Sequence, residues 1–261
     1  MKQTILITGG DGYIAQSLYN KLKNVYKITL INRDDVDLCD KQAVVHYFSD
    51  KQFDVVIHTA ITGGKQLLKD DDNVLYDNIE MYVNLARESK KYNKFINIGT
   101  GAEFFKECTQ YGRSKVIISN LINKQSNFYN LRIFAVFDQN ELDTRFIKAS
   151  INRALNAENV IIHQDKYMDF IYMDDFCKII QHYIQGKDLE KSINCCYGQK
   201  QKLSEIAEVI IQTINPELQI NIIDNTIGEP YHGSAQGVPK LNFVGLSTGI
   251  KNTIKELIDL N

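Results

Sequence analysis

Tyr111 and Lys115 stand four residues apart at the start of a segment whose pattern predicts a helix over roughly 111–125, so the two side chains share one face. An ammonium beside a phenol favours the phenolate and draws the tyrosine toward a working range for proton transfer; it can also hold a ribose. Spacing alone carries little in this chain, because Tyr19/Lys23, Tyr47/Lys51 and Tyr183/Lys187 repeat it and read as surface pairs. Placement sets Tyr111 apart. It follows a predicted strand at 94–99, so Thr100 sits at a strand's carboxyl end, where parallel α/β sheets carry their chemistry. A hydroxyl there can hydrogen-bond the carbonyl oxygen that Tyr111 protonates. Turn and packing roles for both residues are the plain alternative.

Thr8-Gly9-Gly10-Asp11-Gly12-Tyr13-Ile14-Ala15 joins the first apolar run, Thr4 to Thr8, to a helical pattern through Ile14, Leu18 and Leu22. Glycines permit the tight turn and let backbone amides approach a pyrophosphate at the helix amino terminus. Such turns also close ordinary βα units, but this one follows the first strand of a βαβ pattern, which assigns Gly9, Gly12, Tyr13 and Ile14 to a dinucleotide. The second strand ends in Asn32-Arg33, where an acidic residue would serve NAD. A guanidinium suits a 2′-phosphate, so NADPH is favoured, while Asp34 and Asp35 keep NAD open and a solvated arginine is the bland reading.

These residues need a sheet to position them. Apolar runs at 26–31, 54–60 and 128–136 read as further strands; 43–48 and 74–92 read as helices, the latter through Leu75, Ile79, Val83 and Ala86. Near-continuous apolar strands alternating with helices predict a parallel sheet covered on both faces. After about residue 142 the pattern changes to helices at 144–157, 203–214 and 247–259 with short strands near 159–163, 192–196 and 218–223. They read as a smaller lobe over the sheet's carboxyl edge. The predicted division is a dinucleotide-binding domain at 1–142, to which 167–185 returns, and a substrate-binding lobe from 143–166 and 186–261.

Of 261 residues, 44% are hydrophobic and 24% charged, which excludes wholesale disorder. Thirty basic against thirty-two acidic side chains give a net charge of -2, so there is no field for nucleic acid or an anionic membrane. No apolar run reaches the ~18 residues of a membrane span, and Met1-Lys2 leads straight into a strand, so the cytoplasm is the expected location. The cysteines Cys39, Cys108, Cys177, Cys195 and Cys196 show no CxxC spacing and read as reduced thiols; with His46, His163, His182 and His232 they offer no metal-like pattern. Asp174-Asp175 read as helix-capping residues.

In this order TGGDGYIA, DLCD at 37–40, DVVIHTA at 54–60, Thr100/Tyr111/Lys115, LRIFAVF at 131–137 and DFIYMDD at 169–175 resemble the extended short-chain dehydrogenases/reductases, the NAD-dependent epimerase/dehydratase family. LINRDDVDLCDKQAVVHYF and IHTAITGG look most like the GDP-L-fucose synthases and related nucleotide-sugar 4-ketoreductases. The resemblance spans about 3–185 and implies a Rossmann-like doubly wound parallel sheet with a smaller C-terminal α/β substrate lobe. It implies NADPH with Arg33 near the 2′-phosphate, Asp37 and Leu38 near the adenine, and His58, Ala60, Thr62 and Ile133 along the cofactor. Tyr111 becomes the general acid, Lys115 its electrostatic partner and ribose ligand, and Thr100 the carbonyl donor. Gly63, Gly64, Gly101 and Glu103 fall on the sugar side, and the 78–92 and 111–125 helices pair across a homodimer.

Departures from the family narrow the reaction. Fucose synthases carry a cysteine two residues past the catalytic hydroxyl and a histidine in the substrate lobe for C3/C5 epimerisation; Ala102 and, by approximate alignment, Arg145 stand there. Dehydratases place Asp-Glu after the threonine, against Gly101-Ala102 here, with Glu103 one residue out of frame. The segment from Thr100 to Tyr111 is short, and Met168 replaces a phosphate-binding arginine, for which Arg145 or Arg153 can substitute. The expected activity is NADPH-dependent reduction of the C4 keto group of a nucleotide-diphosphate 4-keto-6-deoxy sugar, for surface polysaccharide synthesis. The alternatives are an NAD-dependent nucleotide-sugar 4-epimerase and, from another class, a non-catalytic dinucleotide sensor.

Overall fold

The computed structural model describes residues 2–64, 70–105 and 109–260. Cys108 lies outside the described residues; Cys39, Cys177, Cys195 and Cys196 are free thiols. In chain order the elements are β1 (Thr4–Thr8), α1 (Tyr13–Leu22), β2 (Lys27–Ile31), α2 (Lys41–Phe48), β3 (Phe53–His58), α3 (Val74–Arg87), β4 (Tyr92–Thr100), α4 (Ala102–Phe105), α5 (Gln110–Ile122) and β5 (Phe128–Ile133). The chain continues through β6 (Val136–Phe137), α6 (Phe146–Leu155), β7 (Val160–Gln164), β8 (Ile171–Tyr172), α7 (Met173–Gln185), β9 (Ser192–Asn194), α8 (Leu203–Ile214), β10 (Ile220–Asp224) and α9 (Leu246–Leu260). Among the described residues no helix is long and apolar enough to cross a membrane.

Contacts divide the chain into one compact unit of 1–132 with 180–193 and a second of 133–179 with 194–261. These bounds differ from those read in the sequence for a physical reason. β6 pairs with β8 in parallel, and Phe137 shares a core with Ile147, Tyr172 and Ile206, so the 133–142 stretch belongs to the second unit. The returning segment is held instead by Lys94, whose Nζ donates to the carbonyls of Tyr183, Ile184 and Gly186.

The first unit is built on a six-stranded sheet of order β2-β1-β3-β4-β5-β9, with β1 parallel to both β2 and β3, and β3 parallel to β4. This is a Rossmann-like α/β fold. Ile5, Leu6 and Ile7 are fully buried in succession, as a strand covered on both faces requires. The outer strand β2 alternates, with Lys27 and Thr29 exposed. Asp40 caps α2 by accepting from the Gln42 and Ala43 amides, and the Thr109 hydroxyl caps α5 by accepting from Gly112 N at 2.9 Å. On α3 the buried face is Val74, Asn78, Met81, Tyr82 and Leu85, whereas the predicted apolar stripe of Leu75, Ile79, Val83 and Ala86 is only half-buried. The short helix α4 has no counterpart in the sequence pattern.

In the second unit α6, α8 and α9 pack with β7 around one apolar core. Its polar anchor is Asp175. The expected capping role gives way to a different one, because α7 already begins at Met173 and the Asp175 carboxylate is turned inward. It accepts from Tyr197 Oη at 2.7 Å, Lys178 Nζ at 2.9 Å, and the Val244 and Gly245 amides at 2.8 Å, fixing the entry to α9. Replacing Asp175 by Ala takes the shared acceptor from the Tyr197 hydroxyl and the Val244 and Gly245 amides and should lower stability by about 3–5 kcal/mol. Urea unfolding measures this; a loss below about 1 kcal/mol would mean the network is dispensable.

Candidate active site

The glycine loop brings the end of β1 against the end of β3. Gly9 has φ +70° and lies so close to Ala60 that a Cβ would meet its Cα and N at 2.8 Å, so no other residue fits this approach. Gly12 sits at the N-cap of α1 with no side-chain cap, leaving the first helical amides directed at the loop's open side. Beside it lies a cavity of about 270 Å³ lined by, among others, Gly9, Gly12, Arg33, Asp37, Leu38, Ala60 and Thr62. Seven of the sequence-predicted cofactor residues are thereby brought together, all within the first unit. A glycine cradle closed to any Cβ, an uncapped helix terminus and an adjoining slot fit a dinucleotide.

Tyr13 and Ile14 open α1 and do not line the cavity, and Ile133 is the half-buried last residue of β5. His58 is also absent from the lining. It is buried beneath the loop with a hydrogen bond of 2.9 Å between Nδ1 and Thr8 Oγ1. Burial first, and the Lys115 charge second, push the imidazole down to about 3, so it stays neutral. Thr8 Oγ1 also accepts from Ala60 N at 3.3 Å. His58 thus ties the end of β3 to the end of β1 beneath Ala60.

Arg33 is well exposed and its guanidinium lies 3.2 Å from the Asp37 carboxylate across the mouth of the cavity. Asp35 is otherwise engaged, accepting from Asn32 N at 2.9 Å in the turn after β2. Cys39 also lines the cavity; burial, then Asp77 and Asp37, push its thiol up to about 11, so it is protonated at neutral pH.

Tyr111 and Lys115 of α5 lie against β4, the strand that Thr100 ends. Lys115 is 3% exposed; its Nζ lies 5.7 Å from the Tyr111 ring centroid and donates to Ile98 O at 3.3 Å. Burial pushes the ammonium down to about 8, and the Glu103 carboxylate opposes that fall. Thr100 Oγ1 accepts from Ala102 N at 3.2 Å and so keeps its own proton for donation. Gly64 abuts Tyr111, since a Cβ on it would meet the ring at 3.0 Å; Gly63 packs likewise on Val74.

Two residues that sequence reasoning missed hold this arrangement. Asn78 of α3 accepts from Thr62 N at 2.9 Å and donates to Thr62 O at 3.0 Å and Ser114 Oγ at 3.2 Å, tying the Thr62 loop to α5. Asp70 accepts from Gly64 N at 2.8 Å and Tyr111 N at 3.2 Å. A polar residue four past Val74 and three before Met81 was the available signal for Asn78; Asp70, in a run of three aspartates, offered none.

Three expected substrate residues are elsewhere engaged. Glu103 is buried against Arg132 and Asn130. Arg153 closes the turn after α6, donating to Asn159 O at 2.9 Å and pairing with Glu158 at 3.2 Å. Arg145, the exposed N-cap of α6, has its charge near Glu141, whose carboxyl burial pushes up to about 8. Gly101 is buried in the turn between β4 and α4, and Met168 packs against the second unit's core. Among the described residues no group of three or more His, Cys, Asp or Glu is placed to hold a metal.

No curated protein matches the chain by sequence. Among solved structures it is similar to the GDP-mannoheptose C4 reductase MlghC of Campylobacter jejuni with NADP bound (TM-score 0.80, 18% identity, 99% of this chain and 98% of that one). It is also similar to a GDP-L-fucose synthetase of Naegleria fowleri (0.79, 15%, 99% and 93%) and to a UDP-N-acetylglucosamine 4-epimerase of Methanobrevibacter ruminantium (0.80, 20%, 100% of each). At these identities the likeness is one of fold. Residues 5–196, the span that holds the glycine loop, the Thr100/Tyr111/Lys115 group and β9, match the NAD dependent epimerase/dehydratase family, and the chain belongs to that family.

Proposed function

We propose that the protein reduces the C4 keto group of a nucleotide-diphosphate 4-keto-6-deoxy sugar with NADPH, without C3/C5 epimerisation, in the cytoplasmic synthesis of a surface polysaccharide. The observation that carries the reading is the buried ammonium of Lys115 beside the Tyr111 ring and on Ile98 O of β4, the strand whose last residue, Thr100, has a hydroxyl able to donate. Tyr111 gives its proton to the carbonyl oxygen, Lys115 stabilises the phenolate left behind, and Thr100 holds the same oxygen in line. Bound in the glycine cradle, the dinucleotide supplies the hydride; Arg33 holds its 2′-phosphate and Lys115 its ribose. Ala102 has no proton to exchange, which argues against epimerisation at C3 or C5.

One observation favours a second reading. Asp37 beside Arg33 offers a carboxylate to ribose hydroxyls, which would suit NAD and a nucleotide-sugar 4-epimerase. For the assembly, the half-buried Leu75, Ile79 and Val83 of α3, with Tyr76 70% and Ile117 of α5 39% exposed, support a homodimer through these helices.

NADPH and NADH oxidation with GDP-, dTDP-, UDP- and CDP-linked 4-keto-6-deoxy sugars generated in situ tests the reaction. One nucleotide series should be consumed with a product altered only at C4; interconversion of saturated nucleotide sugars with retained NAD would establish the epimerase instead. Tyr111→Phe should lower kcat by roughly 10²–10⁴-fold with cofactor affinity, read by fluorescence titration, nearly unchanged; unaltered turnover removes Tyr111 from the mechanism. Arg33→Ala should weaken NADPH binding by about 1.5–3 kcal/mol while sparing NADH; equal losses for both would place Arg33 away from the 2′-phosphate.

A further inference from the structure

Glu103 is a buried group that this mechanism leaves unused. It opens α4 directly behind Thr100, its side chain 3% exposed. Oε1 accepts from the Thr100 amide at 3.1 Å, and both oxygens accept from Asn130 Nδ2 at 3.1 Å. Oε2 pairs with Arg132 Nε at 2.5 Å. Behind this pair, Arg132 donates to Ser119 Oγ of α5 at 3.0 Å, and Asn97 of β4 donates to Asn130 Oδ1 at 2.6 Å. The cluster needs Gly99, since a Cβ there would meet Glu103 Oε1 and Asn130 Oδ1 at 2.5 Å. A carboxylate has thus been given a built seat against β4, with backbone, amide and guanidinium partners, on the Thr100 amide two residues beyond the Ile98 carbonyl that Lys115 holds.

We propose that Glu103 is a positioning residue for the candidate triad: it fixes the backbone of Thr100 and supplies the negative charge that keeps the buried Lys115 ammonium charged. This rests on the catalytic reading of Tyr111 and Lys115. Among the described residues, the charged and titratable groups around Lys115 are His58 from β3, Tyr111 on its own helix, Glu103 from α4 and, through Glu103, Arg132 from β5; Asp70 stands at the Tyr111 amide. His58 stays neutral across the working range, so Glu103 is the anionic member of the set and Arg132 tempers it. With Lys115 held near 8, turnover should fall as pH rises through that region, because the ammonium that supports Tyr111 is lost.

The test compares pH profiles of kcat for the wild type, Glu103→Gln, Glu103→Asp and Arg132→Gln. Gln keeps the acceptor for Thr100 but not the charge, and should move the alkaline limb down by about one unit. Asp keeps the charge and should restore the limb, while Arg132→Gln leaves Glu103 unopposed and should move it up. Opposite signs from the two neutralising variants cannot come from packing damage. Limbs that stay in place, or move the same way in both, overturn the proposal, even where kcat drops. Titration of the Lys115 resonance in ¹³C-lysine-labelled protein, assigned with Lys115→Arg, gives the same order without turnover. If Tyr111→Phe leaves activity intact but that order holds, the catalytic reading fails and the role of Glu103 stands; the reverse pattern sinks only Glu103.

Discussion

An ammonium taken out of water must be answered by nearby acceptors and negative charge, or it surrenders its proton. Lys115 faces that demand in the interior of the first unit, and much of the surrounding architecture reads as the response. α5 must present Lys115 to β4 at the depth of Ile98 O, which requires a helix fixed in phase by the Thr109 cap. Near its end β4 must carry a residue without a Cβ, Gly99, to make room for the acidic cluster behind it. The result is a cation poised between its charged and neutral forms and not locked in either.

The second requirement is that loops at the sheet's carboxyl edge hold still. Here the polar residues of α3 matter more than its apolar ones. Asn78 clasps both backbone groups of Thr62 and reaches Ser114, whose hydroxyl in turn donates to Tyr111 O at 2.7 Å. One amide side chain thus couples the cofactor-side loop to the helix that carries the tyrosine. Asp70 repeats the arrangement from the other direction, between Gly64 and Tyr111. Apart from the Asn78–Ser114 link, order at this edge comes from side chain to backbone bonds, which do not depend on the neighbouring residues' identities.

Periodicity and glycine placement made most of the first unit legible. The strands around Leu6, Ile57 and Ile96, and the helix at 203–214, stand where their patterns put them. What stayed hidden involved partners remote in sequence. α3 carries two apolar stripes one residue apart, and only packing decides which turns inward. Glu103 and Arg153 are charged residues near predicted chemistry; nothing in their local spacing tells that Arg132 and Glu158 already hold them. Asp175 has the signature of a cap, an acidic residue before an apolar run, while its real partners, Tyr197 and the 244–245 backbone, are far along the chain.

The outer strands of the main sheet carry a consequence of a different kind. A parallel sheet left open at both ends offers unpaired backbone groups to any passing chain. β2 answers with Lys27 and Thr29 turned to solvent, and β9 answers by brevity, with three residues from Ser192 to Asn194. A charged margin at one side and a stub at the other give a stray strand little to zip onto. The two margins of the sheet thus present little to an incoming strand, and β2 does this while its far end, at Ile31, lines the cavity.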